Sequence, residues 1–274
     1  MELVNKIKKA TKFLQDKIGN KRPTLGLVLG SGLGVLADDI EHPLVIPYRD
    51  IPEFPQTEVK GHAGELVIGE LEGKTIIAMK GRFHFYEGHA LSTISIPIRV
   101  MKNLGVQTLL ITTATGGVNP ENVQTGDLML ITDHINLVYN NPLVGPNLEA
   151  FGPRFPDTST AYTPRLQKLA YAIAQKLDIN LKSGTYLFTT GPTYETPAEV
   201  RMMQFLGTDV AGMSTVPETL TAAHASMEVA AITYVANMGA GITKEKLTHD
   251  DVIATMSLVQ EDFISLINHL VKDC

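Results

Sequence analysis

Leu25-Gly26-Leu27-Val28-Leu29 runs directly into Gly30-Ser31-Gly32-Leu33-Gly34. An unbroken apolar run of this length predicts a strand buried on both faces, which is the habit of strands in α/β proteins rather than of half-exposed sheets. The glycine-rich loop after it lets backbone N–H groups approach an anion closely, with the Ser31 hydroxyl alongside. By itself the loop suits a plain turn equally well. It is not the dinucleotide fingerprint G-x-G-x-x-G, because its last glycine comes one residue early, and G-x-S-x-G does not fit it.

Working outward, the same alternation recurs. Leu3, Ile7, Ala10, Leu14 and Ile18 keep helical spacing up to Gly19. Glu65 to Leu71 and Thr75 to Met79 flank Glu72-Gly73-Lys74 and predict a hairpin. Thr108 to Thr112, Asp127 to Thr132, Thr185 to Thr190, Asp209 to Gly212 and Val229 to Ala236 read as short strands. Between and after them, Thr163-Pro164, Thr196-Pro197-Ala198-Glu199, Val216 and Thr248-His249-Asp250-Asp251 open helices. Nearly every strand is an apolar run, so the expected fold is α/β, a mostly buried sheet flanked by helices. No repeat or low-complexity linker interrupts the chain, and residues 1–274 are expected to form a single domain. Tyr139 to Tyr162, rich in Pro, Gly and Asn, is long for a loop and has the character of a functional or interface segment.

Apolar residues make up 44% of the 274 and charged residues 19%, enough for a sizeable core. The net charge of −6 and the lack of a long basic run argue against a nucleic-acid partner. The best apolar stretch, Val229 to Ala236, is too short to span a bilayer. Cys274 is the sole cysteine, so no intrachain disulfide can form, and a cytoplasmic location is expected. The 8 histidines show no zinc-type spacing, and no metal is expected. Gly69 to Thr75 imitates a P-loop but has only three residues between its glycines, where four are required.

Three further segments carry chemistry. Gly81-Arg82-Phe83-His84-Phe85-Tyr86-Glu87-Gly88-His89 follows a predicted strand; if extended, it puts Arg82, His84 and Tyr86 on one face. A guanidinium and an imidazole together suit a phosphate dianion. Gly191-Pro192-Thr193-Tyr194-Glu195-Thr196 offers an aromatic face and a carboxylate that can accept from a heterocycle's N–H, or that serves the dipole of the helix behind it. In Ala211-Gly212-Met213-Ser214-Thr215-Val216-Pro217-Glu218, a strand, a small turn and a helix start, Ser214 is either a helix N-cap or a second wall for an anion.

Taken in order with Gly61-His62-Ala63-Gly64, Gly116-Gly117-Val118-Asn119 and Asn237, these segments resemble the trimeric, low-molecular-mass purine nucleoside phosphorylases across about four-fifths of the chain. The resemblance implies a central mixed sheet. It implies phosphorolysis of inosine and guanosine to the free base and (deoxy)ribose 1-phosphate, with inorganic phosphate as co-substrate and no cofactor. It places phosphate against Ser31, His62, Arg82, His84, Ser214 and the backbone of Ala114. It places the purine against Glu195, Asn237 and Tyr194, and the ribose against Tyr86, Met213 and His249. Phe151 is the aromatic expected to enter a neighbouring subunit's site, in a homotrimer. Thr113 and Thr115 stand where many members read Asn and Ala, and Ala236 where Thr is usual. The sister enzyme, methylthioadenosine phosphorylase, is the alternative; an amide at Asn237 favours a 6-oxo over a 6-amino purine.

Overall fold

The computed structural model describes residues 2–59, 61–243 and 249–274, and, within its last helix, side chains from residue 254 onward. Its elements are α1 (Glu2–Ile18), β1 (Leu25–Leu29), β2 (Glu41–Pro47), β3 (Glu65–Leu71), β4 (Lys74–Lys80), α2 (Leu91–Ile94), α3 (Ile96–Leu104), β5 (Thr108–Gly117) and β6 (Leu128–Asn136). There follow α4 (Pro164–Lys176), β7 (Leu181–Phe188), α5 (Pro197–Phe205), β8 (Val210–Gly212), α6 (Val216–His224), β9 (Glu228–Met238) and α7 (His249–Asp273).

The strands form one mixed sheet in the order β2-β3-β4-β1-β5-β8-β7-β6-β9. Because β9 pairs parallel with β5 and antiparallel with β6, that end of the sheet closes on itself. β1 lies between β4 and β5, parallel to both, as a strand apolar on both faces should. Its side chains divide by alternation. Val28 joins Ile77, Leu109 and Ile111 under Ile7 and Leu14 of α1. Leu27 and Leu29 join Leu110 on the opposite face, under Leu166 of α4 and Phe263 and Leu270 of α7.

The β3–β4 hairpin closes where expected, with Leu71 opposite Lys74. Glu72 and Gly73 both take positive φ, 51° and 73°, as a two-residue hairpin turn requires. Two features were not foreseen. β2 is a largely exposed edge strand containing Pro43, so it carries no buried apolar run. α3 is buried at seven of its nine positions, including Pro97 and Arg99, so its outward side is reduced to Lys102 and Asn103. β5 and β9 extend beyond their apolar runs, and those extensions carry the site described next.

Candidate active site

The ends of β1, β4, β5 and β9 converge on a cavity of about 870 Å³ lined by Ser31, Arg82, His84, Tyr86, Thr113 to Gly116, Tyr194, Glu195, Met213, Ser214 and Asn237. Chain segments far apart in sequence meet there because the sheet is twisted and its parallel strands end together.

The glycine loop forms one wall. A Cβ at position 30 would press on the Thr112 carbonyl at 2.8 Å, and Gly32 sits at φ +77°, so both positions require glycine. Tyr234 on β9 donates its hydroxyl to the Ser31 carbonyl, 3.2 Å away, and so ties the loop to the sheet.

Arg82 forms the base of the anion wall and is 1% exposed. Its Nε donates to Glu218 Oε1 at 2.9 Å, and Nη1 donates to the Thr112 carbonyl at 3.0 Å and to Ser214 Oγ at 3.2 Å. Nη2 is buried with no partner among the described residues. Ser214 Oγ also lies 3.1 Å from Thr113 Oγ1, so the threonine at 113 joins this wall. α6 begins after Thr215, at φ +70°, with no side-chain cap, so the N-cap alternative for Ser214 does not hold. Tyr186 braces Ser214: its hydroxyl accepts from the Ser214 amide at 3.1 Å and donates to the Ser214 carbonyl at 3.0 Å.

The 81–89 segment is not extended throughout, as the sequence had suggested. Phe85–Glu87 is a 3-10 turn capped by His84, whose amide donates to Glu87 Oε1 at 2.8 Å. Glu87 Oε1 also lies 3.2 Å from His84 Nδ1, which fixes the ring and leaves Nε2 for a ligand. The turn brings Tyr86 back onto His84, with ring centroids 4.6 Å apart. Burial pushes the His84 pKa down, against the opposing pull of Glu87. Burial likewise raises the Tyr86 phenol to about 12.

His62 stands behind this wall, outside the cavity lining. Its Nε2 is 3.3 Å from Ser31 Oγ, and its Nδ1 lies 3.1 Å from the Arg82 amide nitrogen and 3.0 Å from the Arg82 carbonyl. Burial, then the neighbouring His84, lower its pKa to about 4.

On the opposite wall, Thr189 donates its hydroxyl to Glu195 Oε1 at 3.0 Å. The N-terminus of α5 is served instead by Thr196 and Glu199, which form a capping box, so Glu195 is not needed there. Asn237 stands near the end of β9 opposite Gly116, just past a register shift, and its Nδ2 donates to the Met238 carbonyl at 3.2 Å.

Besides His62, the expected Phe151 is not among the residues that line this cavity within its own chain. The side chain of His249 lies outside the described residues. Phe151 is half-buried, with Arg99 stacked over its ring at 5.0 Å; Phe155, in the same loop, is 88% exposed, with Arg154 over its ring at 5.7 Å. Sequence reasoning missed Thr189 and Tyr186, which act through other residues and carry no motif of their own, and it gave no role to Glu218 at the end of the Ala211-to-Glu218 segment. The spacing of Glu87, three residues after His84, is a signal that was available.

Residues 24–272 match the phosphorylase superfamily. The chain is 52% identical over 267 residues to a purine nucleoside phosphorylase 1 of Geobacillus stearothermophilus, covering 97% of each chain. It superposes with TM-score 0.93 and 43% identity on isoform 2 of Schistosoma mansoni purine nucleoside phosphorylase in complex with cytosine and ribose-1-phosphate, covering 98% of this chain and 96% of that one. The inosine complex of a Schistosoma mansoni purine nucleoside phosphorylase matches with TM-score 0.92 and 40% identity, covering 99% and 97%.

Proposed function

This chain belongs to the phosphorylase superfamily, and on that premise we propose how its residues divide the work. It catalyses phosphorolysis of purine nucleosides to the free base and a pentose 1-phosphate. The observation that carries the assignment of roles is that one cavity holds an anion wall of Arg82, His84 and Ser214 facing a carboxylate and an amide, Glu195 and Asn237.

Inorganic phosphate sits on the anion wall and no cofactor takes part. Arg82 Nη2, Ser214 Oγ, Ser31 and the Ala114 backbone supply donors, and the neutral His84 ring accepts the remaining phosphate proton. His62 supports Ser31 from behind. Phosphate is itself the nucleophile, so no strong base is required, and its fixed position supplies much of the rate by proximity. A phosphate oxygen bonds to the anomeric carbon as the glycosidic bond breaks, and that bond's electron pair leaves with the purine. Asn237 donates to the developing negative charge on the base, and Glu195, held by Thr189, accepts from a ring N–H. Tyr194 covers the base, and Tyr86, Met213 and His249 line the ribose.

An amide next to the 6-position favours a 6-oxo purine, since a carboxylate there repels the oxygen. Inosine and guanosine are therefore the preferred substrates. Asn237→Asp is expected to cut kcat/KM for inosine by roughly 100–1,000-fold, the usual loss for one preorganised donor, and to lower the value for adenosine far less. Phosphate-dependent hypoxanthine release measures both the activity and this ratio; an unchanged inosine kcat/KM removes Asn237 from the role.

A homotrimer, located in the cytoplasm, belongs to the same proposal. Its cross-subunit aromatic is Phe151. Phe151→Ala is expected to raise the inosine KM several-fold in a chain that sediments as a trimer; a monomer by sedimentation contradicts the shared site.

A further inference from the structure

A second cavity, of about 990 Å³, shares no lining residue with the catalytic one. It lies between the start of α1, the α2–α3 region, the end of α6 and the 142–148 loop. Its wall includes Arg99, which is 1% exposed.

The bonding of this arginine is incomplete. Nε donates to Ser95 Oγ at a long 3.4 Å, and Nη1 donates to His224 Nδ1 at 3.3 Å. A guanidinium carries five N–H donors, and the remaining ones meet no acceptor among the described residues. No carboxylate among the described residues pairs with Arg99 either, and burial alone lowers its pKa, to about 10. The neighbouring ring cannot compensate. His224 takes the Arg99 hydrogen bond on Nδ1, so its Nε2 carries the proton, which points to Pro153 O at 3.1 Å and Asn147 Oδ1 at 3.3 Å. His224 is thus a neutral ring, with burial and then Arg99 depressing its pKa.

A cation withdrawn from water without an ion partner is costly, and proteins rarely retain one without a use. Lys6 and Glu2, both at the cavity rim, pair with each other at 2.9 Å and leave Arg99 as the uncompensated charge of the lining. Leu3, Leu143 and Leu148 supply apolar wall. A wall of apolar side chains with a few convergent polar groups is the usual form of a small-molecule site.

We propose that this cavity binds a small organic anion whose carboxylate or phosphate head pairs with Arg99 and whose apolar body rests on the three leucines. Guanidinium forks match both head groups, through two parallel N–H···O bonds. The site is separate from catalysis, and a ligand bound there does not compete with inorganic phosphate.

The test uses calorimetry with the full-length protein and three probes of similar body: benzoate, phenyl phosphate and neutral benzyl alcohol. Benzoate or phenyl phosphate is expected to bind the wild type at one equivalent per chain, at least tenfold tighter than benzyl alcohol, and to raise Tm. The two anions tell which head group the site prefers. Arg99→Met, which keeps the buried volume, is expected to weaken that binding at least tenfold while kcat for inosine stays within twofold. If Arg99→Met does not fold, Leu148→Glu, whose carboxylate would enter the cavity and pair with Arg99, is expected to reduce benzoate binding in the same way. The proposal is overturned if benzyl alcohol binds as well as the anions, if no anion binds, if Arg99→Met binds them like wild type, or if the anion competes with phosphate in the activity assay. None of these outcomes bears on whether the other cavity cleaves nucleosides.

Discussion

Arg82 and Arg99 are the two largest fully buried side chains among the described residues, and their surroundings differ in one respect. Each has imidazole beside it whose pKa burial has lowered: His62 and His84 near Arg82, His224 against Arg99. Arg82 also has a carboxylate, Glu218, 2.9 Å from its Nε, and a carbonyl and a hydroxyl on Nη1. Among the described residues, Arg99 has only a hydroxyl, an imidazole and an aromatic face. The lesson is that Glu218 makes Arg82 a fixed donor rather than a loose charge. An anion arriving at Arg82 meets a guanidinium already oriented on two edges, with Nη2 left over. Binding then costs little reorganisation, which is what a site for a reacting nucleophile requires.

Breaking the Arg82 pair should therefore have the largest effect. Glu218→Leu leaves a buried, uncompensated cation and is expected to cost about 3–5 kcal/mol of unfolding free energy by urea denaturation. The double variant Arg82→Met, Glu218→Leu is expected to recover most of that stability, because a hydrophobic pair can replace a buried ion pair. It should not recover phosphorolysis. If the single variant loses less than about 1 kcal/mol, Glu218 is not holding the arginine and the contrast with Arg99 disappears.

The next effect concerns the imidazoles that the two arginines share. The His62 pKa falls from 6.5 to about 4 on folding. Between these values the unfolded chain binds the proton and the folded chain does not, so stability declines as pH drops through 6.5 and the loss is complete near pH 4. The difference corresponds to about 3 kcal/mol. Asn at position 62 can still accept from the Arg82 amide, as Nδ1 does, but it does not titrate. His62→Asn is thus expected to lose up to about 3 kcal/mol less than wild type between pH 7 and pH 4, measured by denaturation at each pH. Equal losses would mean that the ring is protonated in the folded state and that the anion wall carries more positive charge than the structure implies.

The same contrast explains what was legible in the sequence. β1 and its glycine loop were readable because burial on both faces writes an apolar run, and because positions 30 and 32 tolerate only glycine. Arg82, His84, Glu195 and Asn237 were readable through the motifs that surround them. Glu218 was not, because its partner is 136 positions away and nothing local marks a carboxylate that folds against a distant arginine. α3, and with it Arg99, was hidden for a different reason: the helix has only nine residues, and its outward side is reduced to Lys102 and Asn103, too little to set a period. Phe151 and Phe155 share one loop, and only burial distinguishes the half-buried ring under Arg99 from the exposed ring under Arg154.

The smallest expected effect is also the most discriminating. In anion-free buffer, Arg99→Met removes a cation that has no carboxylate partner, so the desolvation penalty of that charge disappears. Set against this are two long hydrogen bonds, to Ser95 and His224, and the stacking on Phe151, together about 1–3 kcal/mol. The two contributions are similar in size, so unfolding free energy is expected to stay within about 1 kcal/mol of wild type, on either side, by urea denaturation. A loss as large as that of Glu218→Leu would show that Arg99 is as firmly partnered as Arg82, through contacts other than those that meet its guanidinium here. A near-zero change, beside a large one at Glu218, means that Arg82 is integrated into the fold while Arg99 is carried at a cost that only a ligand offsets.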